Sequence, residues 1–172
     1  MSLDVSAYTR IELLQLGEYD QAFEDAHETE IGEGIVFLWP NADFPDHAEG
    51  VATGYYRVER PATDVNMNLR YSYYDEWRTH LSALTTGDPN YGRLKNPFPT
   101  LLCFGDNEGI IGPSRCRGLA QELAEWEERA VDYAEKLDQR RLGSFGKSWI
   151  EVYRGWRRIA EAVSPEGVIQ FH

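Results

Sequence analysis

From Ile11 to Tyr56 the chain has no lysine and no arginine. That absence removes phosphate-neutralising side chains from a quarter of the protein. Direct nucleic-acid binding draws its affinity from such cations, so this region does not hold a nucleic acid. Cysteine is also scarce. Cys103 and Cys116 form no CxxC pair and no zinc-type spacing, which reads as two free thiols in a reducing cytosol rather than a disulfide framework. No apolar run approaches the roughly 20 residues that span a bilayer. The opening MSLDVSAYTR lacks the basic start and apolar block of a secretory signal. The expected location is therefore the cytoplasm, with no membrane partner. No GxSxG marks a nucleophile, and no glycine-rich loop places a lysine at a helix start.

What is present is a 172-residue chain, 42% hydrophobic and 13% aromatic, enough for a single domain with a core. Five Trp and ten Tyr supply core filling and interface anchors. The net charge is −12, and residues 11–56 carry eleven of the acids: Glu12, Glu18, Asp20, Glu24, Asp25, Glu28, Glu30, Glu33, Asp43, Asp46 and Glu49. The remaining residues hold 17 basic and 18 acidic groups, so −11 of the −12 falls in 46 consecutive positions. High net charge serves solubility in itself. Gathered charge also engages a basic partner, since complementary potentials raise on-rates and fix register.

Periodicity sets the expected elements. SLDVSAYT alternates as a first strand, with Leu3, Val5 and Ala7 on one face. GIVFLWP, ended by Pro40, reads as a buried strand, and NADFPDHAEG as a loop. GYYRVE and NMNLR are strand-like, with Pro61 and Asp64 in the turn between them. Tyr74, Trp77, Leu81 and Leu84 share a helical face over residues 71–85. TLLCF at 100–104 reads as a central strand. Two helices follow. One starts at Pro113, with Cys116, Leu119, Leu123, Trp126, Ala130, Tyr133 and Leu137 on its apolar face. The other carries Phe145, Trp149, Val152, Tyr153, Trp156, Ile159 and Val163. Their short link makes an antiparallel hairpin, and VIQF closes as a strand. The fold class is α+β: a single domain with a mixed or mostly antiparallel sheet and helices on one face.

The stretch FGDNEGIIGP at 104–113 raises a choice between a ligand loop and a tight turn. Asp106 and Glu108 alternate as in a calcium loop, but IIGP follows where further oxygen ligands would stand. The helix entrance at Gly112 to Ser114 offers N–H groups. The turn reading needs only that Asp106 and Asn107 tolerate left-handed backbone and that Gly109 supplies positive φ. If the final strand lies beside residues 100–104, His172 approaches Asp106 and Glu108, and the three could bind a divalent metal. Arg78 could hold an anion in bidentate fashion or pair with Asp75. His47 and His27 sit among acids and read as solvated, with pKa raised by the carboxylates around them. Cys103 and Cys116 read as buried and inert. Arg154, Arg157 and Arg158 read as a solvated helix face with salt bridges to the preceding helix.

Three stretches taken together, RYSYYDEWR at 70–78, LLCFGDNEGIIGP at 101–113 and the terminal VIQFH, resemble a family of small uncharacterised proteins of phages, prophages and bacterial genomes. The similarity is clearest over residues 66–172 and meets the N-terminal third only in its Leu-Asp-Val strand. The turn carries Gly105 and Asn107 where the family pattern has Ser and Cys. The resemblance implies a phage origin, hence a host cytoplasm, and no reaction.

The function expected from these features is that of a non-catalytic acidic binding protein. It would engage a basic, nucleic-acid-binding protein as an inhibitor through Glu24, Asp25, Glu28, Glu30, Glu33, Asp43 and Asp46. It needs no cofactor. The alternative is a metal-dependent enzyme or small-ligand or nucleotide binder centred on Asp106 and Glu108, with His172 and Arg78 nearby. A structural virion or assembly protein is a further alternative. Oligomeric state leaves no trace in the sequence.

Overall fold

The computed structural model describes residues 2–15, 34–62, 65–87, 97–104, 109–140, 144–163 and 166–172. Their strands form two antiparallel sheets. The larger contains β1 (Ser2–Tyr8), β5 (Met67–Arg70), β6 (Gly109–Ile111) and β7 (Val168–Phe171), in the order β5-β1-β7-β6. The smaller contains β2 (Arg10–Leu13), β3 (Ile35–Leu38) and β4 (Gly54–Glu59), in the order β2-β4-β3. Only Thr9 separates β1 from β2, so one run of backbone passes from the first sheet into the second. The Thr9 N–H donates to the Glu59 carbonyl at 2.8 Å to close the handover.

Helices α1 (Tyr71–Thr86), α2 (Pro99–Cys103), α3 (Pro113–Arg140) and α4 (Phe145–Ala162) complete the described elements with a 3-10 turn at Pro45–Ala48. β1 shows why the sheet has two unlike faces. Leu3, Val5 and Ala7 point into a core shared with Trp77, Leu123, Trp149 and Trp156 from the helices, and Ile169 and Phe171 of β7 join them. The opposite face presents Tyr8, Ile110 and Val168 to Leu38, Tyr56 and Val58 of the small sheet. The result is three layers: helices, four-stranded sheet, three-stranded sheet. The α+β class and the placement of these helices on one face agree with the sequence reading.

Two indoles lock α1 to α4. Trp77 Nε1–H donates to the Trp149 carbonyl at 3.0 Å, and Trp149 Nε1–H donates to the Trp77 carbonyl at 3.1 Å. The hairpin of α3 and α4 closes tightly at Gly146, where a Cβ would lie 2.0 Å from the Ala134 carbonyl oxygen. Asp138 of α3 accepts the Gly146 and Lys147 N–H groups at 2.6 and 3.1 Å, capping α4 across the hairpin. Glu127 binds Arg154 at 3.1 Å and Arg157 at 2.5 Å, the salt bridges expected between these helices. Burial acts to raise the Glu127 carboxyl, but the two arginines override it and hold the group below its usual range.

Two expectations need correction. TLLCF is not a strand: Pro99–Cys103 is a short helix with proline in its first turn, and the strand that follows is the three-residue β6. A five-residue apolar run is too short to show either period, and the fixed φ of Pro99 favours helix entry. β3 is a strand but is not buried, since only Leu38 is fully covered and Phe37 is exposed. β4 and β5 are strands as expected, and they belong to different sheets.

Candidate functional site

The acidic third is built on the small sheet. Leu14 N–H donates to the Tyr55 carbonyl at 2.9 Å, and Val58 N–H donates to the Gly34 carbonyl at 2.7 Å. Residues 16–33 come between these two bonded positions in the sequence. They hold seven acids, Glu24, Asp25, Glu28, Glu30 and Glu33 among them, and no lysine or arginine. Those side chains lie outside the described residues. Asp43 and Asp46 are described and exposed, one before and one within the 3-10 turn. Glu12 is exposed on β2 and pairs with Arg57 at 3.8 Å.

Glu49 is set apart from this group. Its carboxylate accepts the Ser114 N–H at 2.8 Å and the Arg115 N–H at 2.9 Å. The first-turn donors of α3, open to a ligand in the sequence reading, are thus taken by an acid of the chain itself.

The solvent face of the small sheet is aromatic at its β3 edge. The rings of Phe37 and Tyr55 are 4.9 Å apart, and those of Phe37 and Trp39 5.7 Å. Phe37 is 42% and Tyr55 39% exposed, while Val36 and Leu38 turn to the interior. The sequence carried a signal for this face that went unused. IVFLW has the continuous apolar character of a strand covered on both sides, and here one side is open. Among the described residues of that face, Arg10 pairs with Glu59 at 3.6 Å and Arg57 with Glu12, so the basic groups beside the aromatics are already matched.

His47 is not solvated. It is 8% exposed, stacked between Phe44 and Phe104 with centroids 5.4 and 5.1 Å away. Burial, assisted by the charge of Arg115, lowers its pKa, the reverse of the shift expected from the neighbouring acids. Pro45 starts the 3-10 turn that carries the ring inward. His27 lies outside the described residues.

Asp106 and Glu108 also lie outside them. The premise that they follow a central strand falls, because α2 precedes them. β7 does not pair beside residues 100–104 but beside β6, with Gly109 opposite Phe171. His172 is tied down rather than frayed: its N–H donates to the Asp4 carbonyl at 2.9 Å, and Nε2 lies 3.1 Å from Ser6 Oγ. Arg78 is buried in the core-facing side of α1. It donates to the Leu102 carbonyl at 3.1 Å, pairs with Asp75, and sits 5.1 Å from the centre of the Tyr74 ring. Of its two readings, the structure takes the pairing with Asp75. Among the described residues no group of three His, Cys, Asp or Glu side chains could hold a metal ion.

Cys116 is buried, and burial pushes its thiol up to about 12, so it does not act as a nucleophile near neutrality. Cys103 is buried in α2. No described helix is long and apolar enough to cross a membrane. The candidate surface among the described residues is the aromatic face of the small sheet, which the acid-rich stretch joins in sequence at Leu14 and Gly34. Comparison with protein families, with curated proteins and with solved structures finds no match for the chain.

Proposed function

We propose that this is a non-catalytic acidic binding protein that engages a protein partner with a basic surface. The observation that carries the reading is the concentration of −11 of the net −12 in residues 11–56, whose chain is anchored at Leu14 and Gly34 to one small sheet. Charge spread evenly would serve solubility alone. Charge gathered in one stretch of chain gives a field with a direction, which steers a cationic partner and fixes its register. Carboxylates so arranged stand in for phosphates, so the partner class is a nucleic-acid-binding protein and the effect on it is inhibition. The resemblance to phage and prophage proteins supports the same reading, with a bacterial cytoplasm as the expected setting.

The test is recovery of a partner on the immobilised protein at low and at high salt, followed by affinity measurement on the identified pair. Binding is expected to weaken steeply with salt, because exposed charges farther apart than about 8 Å are screened at physiological ionic strength. Reversal of Glu24, Asp25, Glu28 and Glu30 to lysine is expected to abolish it. A partner whose affinity ignores both salt and charge reversal overturns the proposal.

A further inference from the structure

The four-stranded sheet ends in β6 on one side and β5 on the other, and the two edges differ. Beyond β6 the edge is closed. Gly112 N–H donates to the His47 carbonyl at 2.7 Å, and a Cβ on Gly109 would lie 2.8 Å from Asn41 Cβ. Beyond β5 no described strand follows. Asp4 exchanges both backbone bonds with His172, so its N–H and carbonyl face the β7 side. By alternation those of Leu3 and Val5 face Leu69 and Met67 of β5. The N–H and carbonyl of Asn68 therefore point away from the sheet, and no bond among the described residues takes them. Under this edge a cleft of about 260 Å³ opens between β5 and α4, with the half-buried Met67 and Val152 in its wall. Gly155 helps keep it open, since a Cβ there would lie 3.2 Å from Met67 Sδ. A second cleft, of about 460 Å³, runs from Asn68 and Arg70 to Tyr73 of α1. Two arginines flank the edge. Arg158 lines the first cleft from α4, and Arg70 projects from the face of β5 opposite buried Leu69. Both are exposed and without an ion pair among the described residues, whereas Arg154 and Arg157 of α4 are held by Glu127. The acids of the two clefts are engaged: Glu151 lies 3.7 Å from Arg154, and Glu76 has a partner of its own.

We propose that the outer edge of β5 is a docking site for an extended acidic segment of another protein, which joins the sheet as a fifth strand. This is a second surface and does not depend on the acidic binding role. An open edge is a template for a further strand. In strand addition the main-chain bonds give affinity, and pockets for alternate side chains give specificity. Successive side chains of the added strand point to opposite faces. Those on the helix side enter the cleft beside Met67 and Val152, which suits apolar groups. Those on the other side pass Arg70, and Arg158 stands at the cleft, so carboxylates are favoured over cations. A second copy of this chain is a poor occupant. β5 against β5 would bring four unpaired arginines together between two chains that each carry a net charge of −12.

The experiment titrates the full chain into a dye-labelled heptapeptide of alternating glutamate and valine, read by fluorescence anisotropy. A glutamine–valine heptapeptide is the reference. Asn68→Pro removes the outward N–H and is otherwise compatible with an edge strand. Asn68→Ala keeps that N–H and loses the same side-chain bond to Asp4. The glutamate peptide is expected to bind, and more tightly than the glutamine peptide. Asn68→Pro should weaken it by at least about tenfold, and the double variant Arg70→Glu, Arg158→Glu should do the same and erase the preference for glutamate. Asn68→Ala should bind as the parent does, and Asn68→Pro should unfold at the same temperature as Asn68→Ala. No binding of the glutamate peptide to the parent overturns the proposal, as does equal affinity for the two peptides. Binding that Asn68→Pro leaves intact is not strand addition and overturns it too. An unfolding temperature for Asn68→Pro well below that of Asn68→Ala would mean that the chain's own residues use the N–H, and the proposal fails. A parent dimer dispersed by Asn68→Pro would make a second copy the occupant, with the same result.

Discussion

At the scale of single residues, burial decides more than sequence neighbours do. His47 stands between acids in the chain, with Asp46 beside it and Asp43 four residues away, yet its ring is packed between Phe44 and Phe104. The folded protein holds this imidazole neutral, while the unfolded chain protonates it with a pKa near 6.5. The unfolded state therefore binds more protons below that value. The contribution of His47 is complete above pH 6.5 and is lost as pH falls toward its lowered folded value. Urea midpoints measured from pH 7.5 down to about 5 should fall for the parent and fall less for His47→Phe, which keeps an aromatic ring in the stack. A variant with the same slope as the parent would place the pH dependence elsewhere. Sequence alone missed this because the rule for nearby carboxylates assumes a solvated ring, and Phe104 arrives from 57 positions away. Arg78 gives the opposite case. The pairing with Asp75, three residues apart on one helix, was readable because i,i+3 neighbours meet.

At the scale of elements, length separated what could be read from what could not. α3 and α4 repeat their apolar residues at threes and fours over many turns, so their faces were legible: Cys116, Leu119, Leu123 and Ala130 on one, Trp149, Tyr153, Trp156 and Ile159 on the other, are buried as that period requires. The five residues of α2 leave no room for a period, and the choice between strand and helix passed to Pro99. β3 was read as buried because its composition asks for two covers, and only tertiary structure shows that one is missing. The hairpin yields a prediction of its own. Gly146→Ala places a methyl 2.0 Å from the Ala134 carbonyl oxygen, backbone against backbone, so α3 and α4 must part. The expected cost is about 3 kcal/mol, a fall of about 10 °C in unfolding temperature for a chain of this size. Calorimetry of the variant checks it. An unchanged temperature would mean that the hairpin has slack the contact does not show.

At the scale of the whole molecule, the second sheet was the feature least visible in sequence. Tyr56 and Val58 are ordinary alternating strand residues, and nothing local says that they cover Tyr8, Ile110 and Val168. Such pairings join positions about fifty or more apart and are set by which faces remain uncovered once the helices have docked. The candidate surface was legible as composition, through the absent lysines and arginines, and its aromatic part was not. The metal reading can be judged on the intact chain. Binding at Asp106, Glu108 and His172 would raise the unfolding temperature in a divalent-ion screen, by about 2.7 kcal/mol of stabilisation with ion at 100 times its dissociation constant. With His172 held against Asp4 and Ser6, no shift is expected. A shift of that size, lost in His172→Ala, would establish the metal reading. The single-residue handover at Thr9 bears on how the acidic platform works. No linker joins the two sheets at that point, so there is no swivel there. A load on the outer layer travels through covalent backbone straight into the strand that lines the main core. The small sheet is thereby a stiff anvil, and on the proposed binding role a partner landing there would give up little freedom to rocking between layers.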